Sequence, residues 1–294
     1  MFADYPRREN MMTDLTSILV IRSLVWKIGR RLYMWAKRDL SNNPKTNGEY
    51  WLIEKLLSTS SSSAVILIDI GANKGDWSAQ ALKILDLLGK RGEIYAFEPA
   101  QSTYEFLIKK FQNNTNVMIK KTALSNYSGE AEFFVVGALA GTNSLLKNSL
   151  EGKVFDVEKV QTLRFDDFLA SAGLTSVAFV KSDTEGYDMS VLMGAQQSLR
   201  EGRVEVWQFE YNYRWIANHH NLKDVFNLIE EMPYCLGKLY GNGIEIYEKW
   251  HPELDRFFEG NYVLIREGSE IKKFGIFVQF DVGNVLVPNE KIVE

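Results

Sequence analysis

Two carboxylates in this sequence stand at the ends of apolar runs, where a ligand could reach them. Asp69 lies near the end of Val65–Ile70, and Glu98 directly follows Ile94–Phe97. An apolar run that leads into a glycine turn and then a helical pattern is typical of a buried parallel strand in an α/β domain. The turn after Asp69 contains Gly71, Asn73 and Gly75. Two neighbouring strands that each bring an acid to the same edge predict a site for a ribose-bearing cofactor.

The same turn narrows the class of cofactor. When Gly71 is aligned with the first glycine of the dinucleotide fingerprint, Asn73 and Asp76 occupy the second and third glycine positions. Asp76 would repel a pyrophosphate at the helix N-terminus, which argues against NAD or FAD. No Gly-Lys-Ser/Thr follows, so a Walker A loop is also excluded. S-adenosylmethionine fits, because it has a ribose, no phosphate, and cationic sulfonium and ammonium groups.

Composition sets wider limits on function. The chain has 294 residues, 46% of them hydrophobic, and a net charge of -4, which argues against nucleic acid as a partner. Its single cysteine, Cys235, excludes an internal disulfide. No segment is long and apolar enough to span a bilayer, and the acidic residues near the start are atypical of a signal peptide. We therefore expect a reducing, cytoplasmic location.

The pattern of elements predicts the fold class and the domains. Strand-like and helix-like segments alternate after residue 64, which predicts a mostly parallel sheet with helices on both faces. Ile244–Tyr247 and Asn261–Ile265 are expected to be antiparallel edge strands. We divide the chain into an N-terminal helical extension (1–50), a main domain (51–265) and a C-terminal tail (266–294).

The N-terminal extension contains a basic amphipathic helix. Between Leu15 and Arg38 there are six basic residues and no acidic ones. Apolar residues recur at spacings of three and four, namely Ile18, Ile21, Val25, Ile28, Leu32 and Trp35. The segment 15–38 could lie on an anionic membrane, or it could cap the main domain or form an oligomer contact.

Five short motifs occur in the order that is found in one enzyme family. They are Asp69-Ile70-Gly71-Ala72-Asn73-Lys74-Gly75, Phe97-Glu98-Pro99, Ala123-Leu124-Ser125 with Gly129-Glu130, Gly141-Thr142-Asn143-Ser144-Leu145, and Val180-Lys181-Ser182-Asp183-Thr184-Glu185-Gly186. From Val65 to Glu210 the chain thus resembles the FkbM family of S-adenosylmethionine-dependent methyltransferases. The resemblance implies a doubly wound, Rossmann-like α/β sheet of about seven strands. It also implies O-methylation, often of hydroxyls on sugars, lipids or polyketide-type products.

The resemblance also implies roles for individual residues. Those expected around the methionine part of S-adenosylmethionine are Asp69, Gly71, Asn73 and Gly75. Glu98 is expected to accept hydrogen bonds from both ribose hydroxyls. Those expected near the adenine are Ala123, Leu124 and Ser125. The alternatives are that Asp69 and Glu98 only cap loops and that Asn73 only forms a turn. The family commonly has Ala-Glu after Asp-x-Glu-Gly, whereas Tyr187-Asp188 stands here.

Methyl transfer to an alcohol needs alignment of the acceptor and removal of its proton. Asp183 and Glu185 follow the strand Val177–Lys181, so either could be the general base. A divalent cation held by Asp183, Glu210 and Asn212 is the rival. Glu185 could instead cap a turn. The loop 137–144 could close over an acceptor or simply connect two strands.

The expected function is therefore methyl transfer to a hydroxyl of a glycan, a lipid-linked sugar or a secondary metabolite. A nicotinamide-dependent sugar oxidoreductase is one alternative, although the missing glycines argue against it. A non-catalytic adaptor at a membrane or partner protein is another, and the basic helix supports it. The acceptor, the metal requirement and the oligomeric state are open at this stage.

Overall fold

The computed structural model describes residues 8–39, 42–137, 141–147, 154 and 156–289, and side chains from residue 18 onward. The chain divides into two units, one up to residue 40 and one from residue 41 onward. The helices of the described part are α1 (Arg8–Ala36), α2 (Glu49–Thr59), α3 (Asp76–Leu87), α4 (Gln101–Phe111), α5 (Phe165–Ala172), α6 (Asp188–Met193), α7 (Gln196–Arg200) and α8 (Leu222–Ile229). Short 3-10 helices cover Tyr213–Asn218, Pro252–Leu254 and Glu270–Phe274.

The strands of the second unit form a large sheet and a small one. Those of the large sheet are β1 (Ala64–Ile70), β2 (Arg91–Phe97), β3 (Val117–Lys120), β7 (Val177–Ser182), β8 (Val204–Tyr211), β9 (Tyr234–Tyr240), β10 (Gly243–Tyr247), β11 (Gly260–Arg266), β12 (Gly275–Phe280) and β13 (Leu286–Pro288). Those of the small sheet are β4 (Ala123–Ser125), β5 (Gly129–Val135) and β6 (Asp156–Arg164).

The strand order of the large sheet is β13-β12-β10-β9-β11-β8-β7-β1-β2-β3. Strands β3, β2, β1, β7 and β8 are parallel, and β1 starts in the middle with crossovers to both sides. Order and direction confirm a doubly wound, Rossmann-like α/β sheet. It has ten strands in the described part of the chain, because β10, β12 and β13 extend a central set of seven.

The two expected edge strands occupy different positions. Both are antiparallel to β9, as β10 and β11. However, neither is at an edge of the sheet, because β10 lies between β9 and β12 and β11 inserts between β8 and β9. Its residues Asn261–Ile265 are all buried, since helices cover both of its sides. Within 266–289, which we had set apart as a tail, β12 pairs with β10 and β13 pairs with β12.

Helices cover the two faces of the large sheet and form two separate cores. On one face, α2, α3 and α4 pack through Leu52, Ile84 and Leu107. On the other face, α5 to α8 pack around a cluster that includes Trp207 and Phe165, whose rings lie 4.7 Å apart. Alternate residues of each strand point to opposite faces, so a strand buried on both sides reads as a continuous apolar run. This is why the segment that forms β1 was recognisable in the sequence.

In the N-terminal unit, the structure describes α1 and the three residues that follow it. The apolar stripe of α1 is exposed to solvent, from Ile18 to Trp35. No helix in the described part of the chain combines the length and the apolar character needed to cross a bilayer.

Gly71 sits where the chain leaving β1 meets the chain leaving β7. Its φ is 74°, which favours glycine. A Cβ at this position would lie far inside van der Waals contact of the Asp183 carbonyl oxygen. The amide of Asp183 donates to the carbonyl of Ile70 at 3.0 Å, which locks the two loops together.

We expect Gly71→Ala to destabilise the fold by about 3 kcal/mol or more, since it adds a backbone clash to the cost of a positive φ. Gly173→Ala is the matched control, because its φ is 66° and no atom lies within 4 Å of a Cβ there. That control should cost only about 1 kcal/mol. Urea unfolding measures both. Equal losses would show that the contact with Asp183 contributes nothing.

Candidate functional site

A cavity of about 540 Å³ opens at the carboxyl ends of β1, β2 and β7. This volume includes space that is open to solvent. The small sheet closes one side of it through Phe133, Ala123 and Leu124. Its remaining lining consists of Ile70, Gly71, Asn73, Phe97, Glu98, Pro99, Thr122, Gly141, Asn143, Leu145, Asp183, Thr184, Glu185 and Tyr187.

Glu98 is the buried carboxylate of this cavity. Its Oε2 accepts a hydrogen bond from the amide of Asn73 at 3.0 Å, and its Oε1 accepts one from the amide of Ala100 at 2.9 Å. Burial raises the pKa of Glu98 to about 7, although these two amides oppose the shift. Each carboxylate oxygen has a second lone pair, so both can still accept a hydrogen bond from a ligand.

Asp69 is fully buried and is not part of the cavity lining. Its Oδ2 accepts a hydrogen bond from Ser78 Oγ at 2.6 Å, and its Oδ1 has no hydrogen-bond partner among the described residues. Burial raises the pKa of Asp69, while the charge of Lys181 opposes this shift. The hydrogen bond with Ser78 connects the end of β1 to the first turn of α3.

Lys181 is the cation that compensates several of these acids. It pairs in register with Asp69 on β1 and with Gln208 on β8, so the three side chains form a polar row on one face of the sheet. Its Nζ donates to Asp183 Oδ2 at 3.1 Å. Burial alone would lower the pKa of Lys181, but the carboxylates of Asp183, Asp69 and Glu49 outweigh burial and raise it.

The other residues expected to hold the cofactor take different positions. Asn73 lines the cavity with φ at 45°, a left-handed conformation that asparagine tolerates. Gly75 lies outside the lining and packs instead, because a Cβ there would meet the Phe111 ring at 2.6 Å. Ser125 is buried behind the cavity, and its Oγ lies 3.1 Å from the hydroxyl of Tyr187. Gly71, Ala123 and Leu124 line the cavity.

Asp183 and Glu185, the two candidate bases, both line the cavity. Glu185 has φ at 57°, which is rare for a residue with a long side chain and is often found at functional sites. Arg214 Nη1 lies 3.2 Å from Glu185 Oε2, an ion pair that lacks the alignment of a hydrogen bond. Burial, followed by the charge of Asp183, raises the pKa of Glu185 to about 8 even though Arg214 opposes it.

Asp188, which departs from the usual family pattern, is fully buried beside this pair. Its carboxylate accepts hydrogen bonds from Ser182 Oγ and from the amide of Thr184. Burial raises its pKa to about 6. Asp188 therefore anchors the turn that carries Asp183 and Glu185.

The rival cation site involves Glu210 and Asn212, which lie at the end of β8. Asn212 Nδ2 donates to Glu210 Oε2 at 2.7 Å, so these two side chains already bind each other. Burial raises the pKa of Glu210 well above its ordinary value, and neighbouring acids add to the shift. Among the described residues, no group of three or more His, Cys, Asp or Glu side chains is placed to hold a metal ion.

The loop 137–144 lies partly outside the described residues, at 138–140. Asn143 Oδ1 accepts a hydrogen bond from the amide of Val136 at 2.8 Å, and Ser144 Oγ donates to the carbonyl of Glu185 at 3.3 Å. The described end of the loop is thus attached to the turn that carries the candidate bases.

Some lining residues carried no signal in the sequence. Phe133 comes from β5, whose contribution depends on the small sheet folding over the large one. Thr122 precedes β4. In the sequence, Tyr187 stands out only as a departure from the family pattern. Lys181 stood in a quoted motif, but its compensating role appears only when β1 and β7 are seen side by side.

The strand order and the cavity at the switch point are those of a Rossmann-like methyltransferase fold. The model of one family, the methyltransferase FkbM domain, matches residues 69–236. That range covers more than half of the chain, and the chain belongs to the FkbM methyltransferase family. This confirms the resemblance found in the sequence.

One curated relative is the hexuronic acid methyltransferase AglP of Haloferax volcanii, which is 27% identical over 168 residues. The match covers 57% of this chain and 62% of AglP, so the chain spans less than two thirds of that relative. A methyltransferase FkbM from Methylobacillus flagellatus has a TM-score of 0.44 at 15% identity, covering 69% of this chain and 44% of that one. A putative methyltransferase from Streptococcus mutans, in complex with SAH, has a TM-score of 0.41 at 10% identity, covering 77% and 99%.

Lys181→Met should destabilise the protein by about 3–5 kcal/mol at pH 8, because it leaves buried carboxylates uncompensated. The folded-state pKa of Asp69 is already above its unfolded value and rises further without the cation. Stability should therefore fall as pH increases, so the loss should be smaller at pH 5. Exposed Lys83→Met is the control and should change stability by less than about 0.5 kcal/mol. A loss that is the same at both pH values in urea unfolding would assign Lys181 to packing alone.

Proposed function

We propose that this chain transfers a methyl group from S-adenosylmethionine to a hydroxyl of a sugar, either in a glycan or linked to a lipid. The observation that carries the proposal is Glu98, a buried carboxylate held by two backbone amides at the rim of a cavity of about 540 Å³. Membership of the FkbM methyltransferase family supports the reaction class.

The cofactor assignment rests on the chemistry of the cavity. Two adjacent ribose hydroxyls present two donors, and a carboxylate is the side chain that accepts both at once. Acidic groups at Asp183 and Glu185 suit a ligand with positive charge and oppose a pyrophosphate. Apolar groups at Phe97, Leu124 and Phe133 suit a flat base. The described residues therefore fit S-adenosylmethionine better than a dinucleotide.

The acceptor class rests on two supports. AglP is named for methylation of a hexuronic acid, which is a sugar derivative. The cavity itself contains a carboxylate of raised pKa next to Asp183, which suits proton removal from an alcohol. A secondary metabolite with a hydroxyl would need the same chemistry, so the acceptor screen must include one.

When bound, S-adenosylmethionine would supply an electrophilic methyl group on a positively charged sulfur, and Glu98 would hold its ribose. The part of the chain would be to align the acceptor oxygen with that methyl group. Glu185 or Asp183 would accept the proton of the acceptor hydroxyl. Lys181 and Arg214 hold the two carboxylates in place through ion pairs of 3.1 and 3.2 Å. A cation held by Asp183, Glu210 and Asn212 remains the rival way to activate the hydroxyl.

We expect the chain to bind S-adenosylhomocysteine, with an affinity that rises about tenfold between pH 6 and pH 8. The reason is that Glu98 must lose its proton to accept two hydroxyls, and its pKa in the free protein is about 7. Calorimetry in buffers of different ionisation enthalpy should show proton release on binding. Glu98→Gln should weaken binding by about tenfold or more and remove the pH dependence.

The control for this prediction is Glu93→Gln, an exposed acid on the same strand. It should bind like the parent protein. The nicotinamide alternative is tested by titrating NADH in parallel and following tryptophan fluorescence. Binding of NADH in preference to S-adenosylhomocysteine, or unchanged binding in Glu98→Gln, would refute the cofactor assignment.

Asp183→Asn and Glu185→Gln should both keep the affinity for S-adenosylhomocysteine. One of the two carboxylates is expected to be the general base, and its substitution should lower kcat by about 100-fold or more. An acceptor is first identified by mass spectrometry of products from glycans, lipid-linked sugars and hydroxylated metabolites. If Glu185 is the base, kcat/KM should rise with pH towards a plateau above about 8, because only its ionised form accepts a proton.

Exposed Asp86→Asn serves as the control for these variants and should retain the parent rate. Parent rates in both active-site variants would exclude both carboxylates as the base. Rates that depend on added Mg²⁺ and fall with a chelator would favour the cation instead. Failure of the parent chain to methylate any acceptor, with the cofactor bound, would favour the adaptor alternative.

A further inference from the structure

Helix α1 exposes an unusually large apolar surface. Its apolar stripe (Ile18, Ile21, Val25, Ile28, Leu32 and Trp35) is between 51% and 81% exposed. Scattered exposed apolar residues are common, but a continuous row of this length marks a site of interaction. The methyl-transfer reaction proposed above uses none of these residues.

The charges of the helix are arranged around the stripe. At 3.6 residues per turn, the six stripe residues fall within a sector about 100° wide. All six basic residues of 15–38 lie outside this sector, and three of the exposed ones are Arg22, Lys27 and Arg31. No acidic residue occurs in the segment 15–38. The segment 15–38 therefore combines an apolar stripe with charged residues of one sign, all positive and all outside the stripe.

We propose that α1 binds the surface of an anionic phospholipid bilayer. The stripe would lie at the boundary between headgroups and acyl chains, with the basic residues on the anionic headgroups. Trp35, at one border of the stripe, would lie at headgroup depth, where tryptophan side chains are favoured. On the basic side of the helix, the guanidinium of Arg30 lies 5.3 Å from the Trp26 ring centre.

A second copy of the same helix is a poorer occupant of the stripe. Coiled-coil partners place acidic and basic residues beside the apolar seam, so that opposite charges pair. Here the two copies of the segment 15–38 would bring only positive charge to the seam, because this segment contains no Asp or Glu. An anionic surface satisfies that charge, whereas a second copy would repel it.

The inference does not depend on the proposed function, because binding to a bilayer needs neither cofactor nor acceptor. If both hold, membrane attachment favours a lipid-linked sugar among the acceptor classes.

The test is co-sedimentation of the full chain with vesicles of phosphatidylcholine alone or with added phosphatidylglycerol. We expect binding to the anionic vesicles that is at least about tenfold stronger than to the neutral ones and that weakens with salt. Equal binding to both vesicles, or binding to neither, would overturn the proposal.

Two variants separate charge from apolar contact. The triple variant Arg22→Glu, Lys27→Glu, Arg31→Glu should lose at least about tenfold in affinity for anionic vesicles. Its control reverses three exposed lysines of the other unit, Lys83→Glu, Lys109→Glu and Lys159→Glu, for the same change in net charge. That control should bind anionic vesicles like the parent. If it lost as much affinity as the first variant, net charge alone would explain the binding.

The double variant Ile28→Ser, Trp35→Ser leaves every charge unchanged and breaks the stripe. It should also lose vesicle binding, with S-adenosylhomocysteine affinity unchanged. Parent-like vesicle binding would contradict the role of the stripe. Self-association would be the alternative role of the stripe. It would be supported if the parent chain bound no vesicles and if sedimentation equilibrium showed an oligomer that this variant abolishes.

Discussion

The candidate site depends on how negative charge is accommodated away from water. Asp69, Glu98, Glu185 and Glu210 are buried or nearly so, and burial raises the pKa of each. Removing a carboxylate from water is costly unless a cation or a hydrogen-bond donor replaces the lost solvation. The charge of Lys181 compensates Asp69 and Asp183, and Arg214 forms an ion pair with Glu185. Backbone amides donate hydrogen bonds to Glu98. A substitution of Lys181 therefore affects more than one acid.

The negative charge of these buried acids is only partly compensated. The same acids therefore affect both the stability of the fold and the kind of ligand that the site favours. A site that holds several acids of raised pKa gains from a ligand that carries positive charge or presents hydroxyl donors. The same site disfavours phosphate groups, which carry the wrong sign. Sites of this kind are common where chemistry occurs, since a group with a pKa near neutrality can both accept and release a proton. The close backbone approach at Gly71 and the hydrogen bond from Asp183 to Ile70 hold the turn in place, and Glu185 has a positive φ within it.

Much of the fold followed from local patterns. Apolar runs that end in an acid identified β1 and β2, because a strand covered by helices on both sides cannot alternate with polar residues. The position of β11 did not follow, since an apolar segment fits an edge or an interior place equally well until its neighbours are known. Strands β12 and β13 were missed because they are short and half exposed, which leaves a weak pattern.

The family motifs brought the right residues to notice but not their individual positions. Glu98, Asp183 and Glu185 line the cavity, whereas Asp69, Gly75 and Ser125 lie behind it. The difference follows from which way each side chain leaves the backbone and from what packs against it, such as Phe111 against Gly75. Phe133 and Tyr187 reach the cavity from other segments, and no spacing of residues within those segments predicts this.

By itself, the sequence determined the class of sheet, the acid at the end of β2, the exclusion of a phosphate-binding turn and the one-sided charge of α1. These features depend on neighbours in the chain, so a reading of the residues in order recovers them. Only the tertiary structure decided which acids share Lys181, which residues close the cavity and where β11 lies. These depend on contacts between segments far apart in the chain, where burial and charge compensation act across strands.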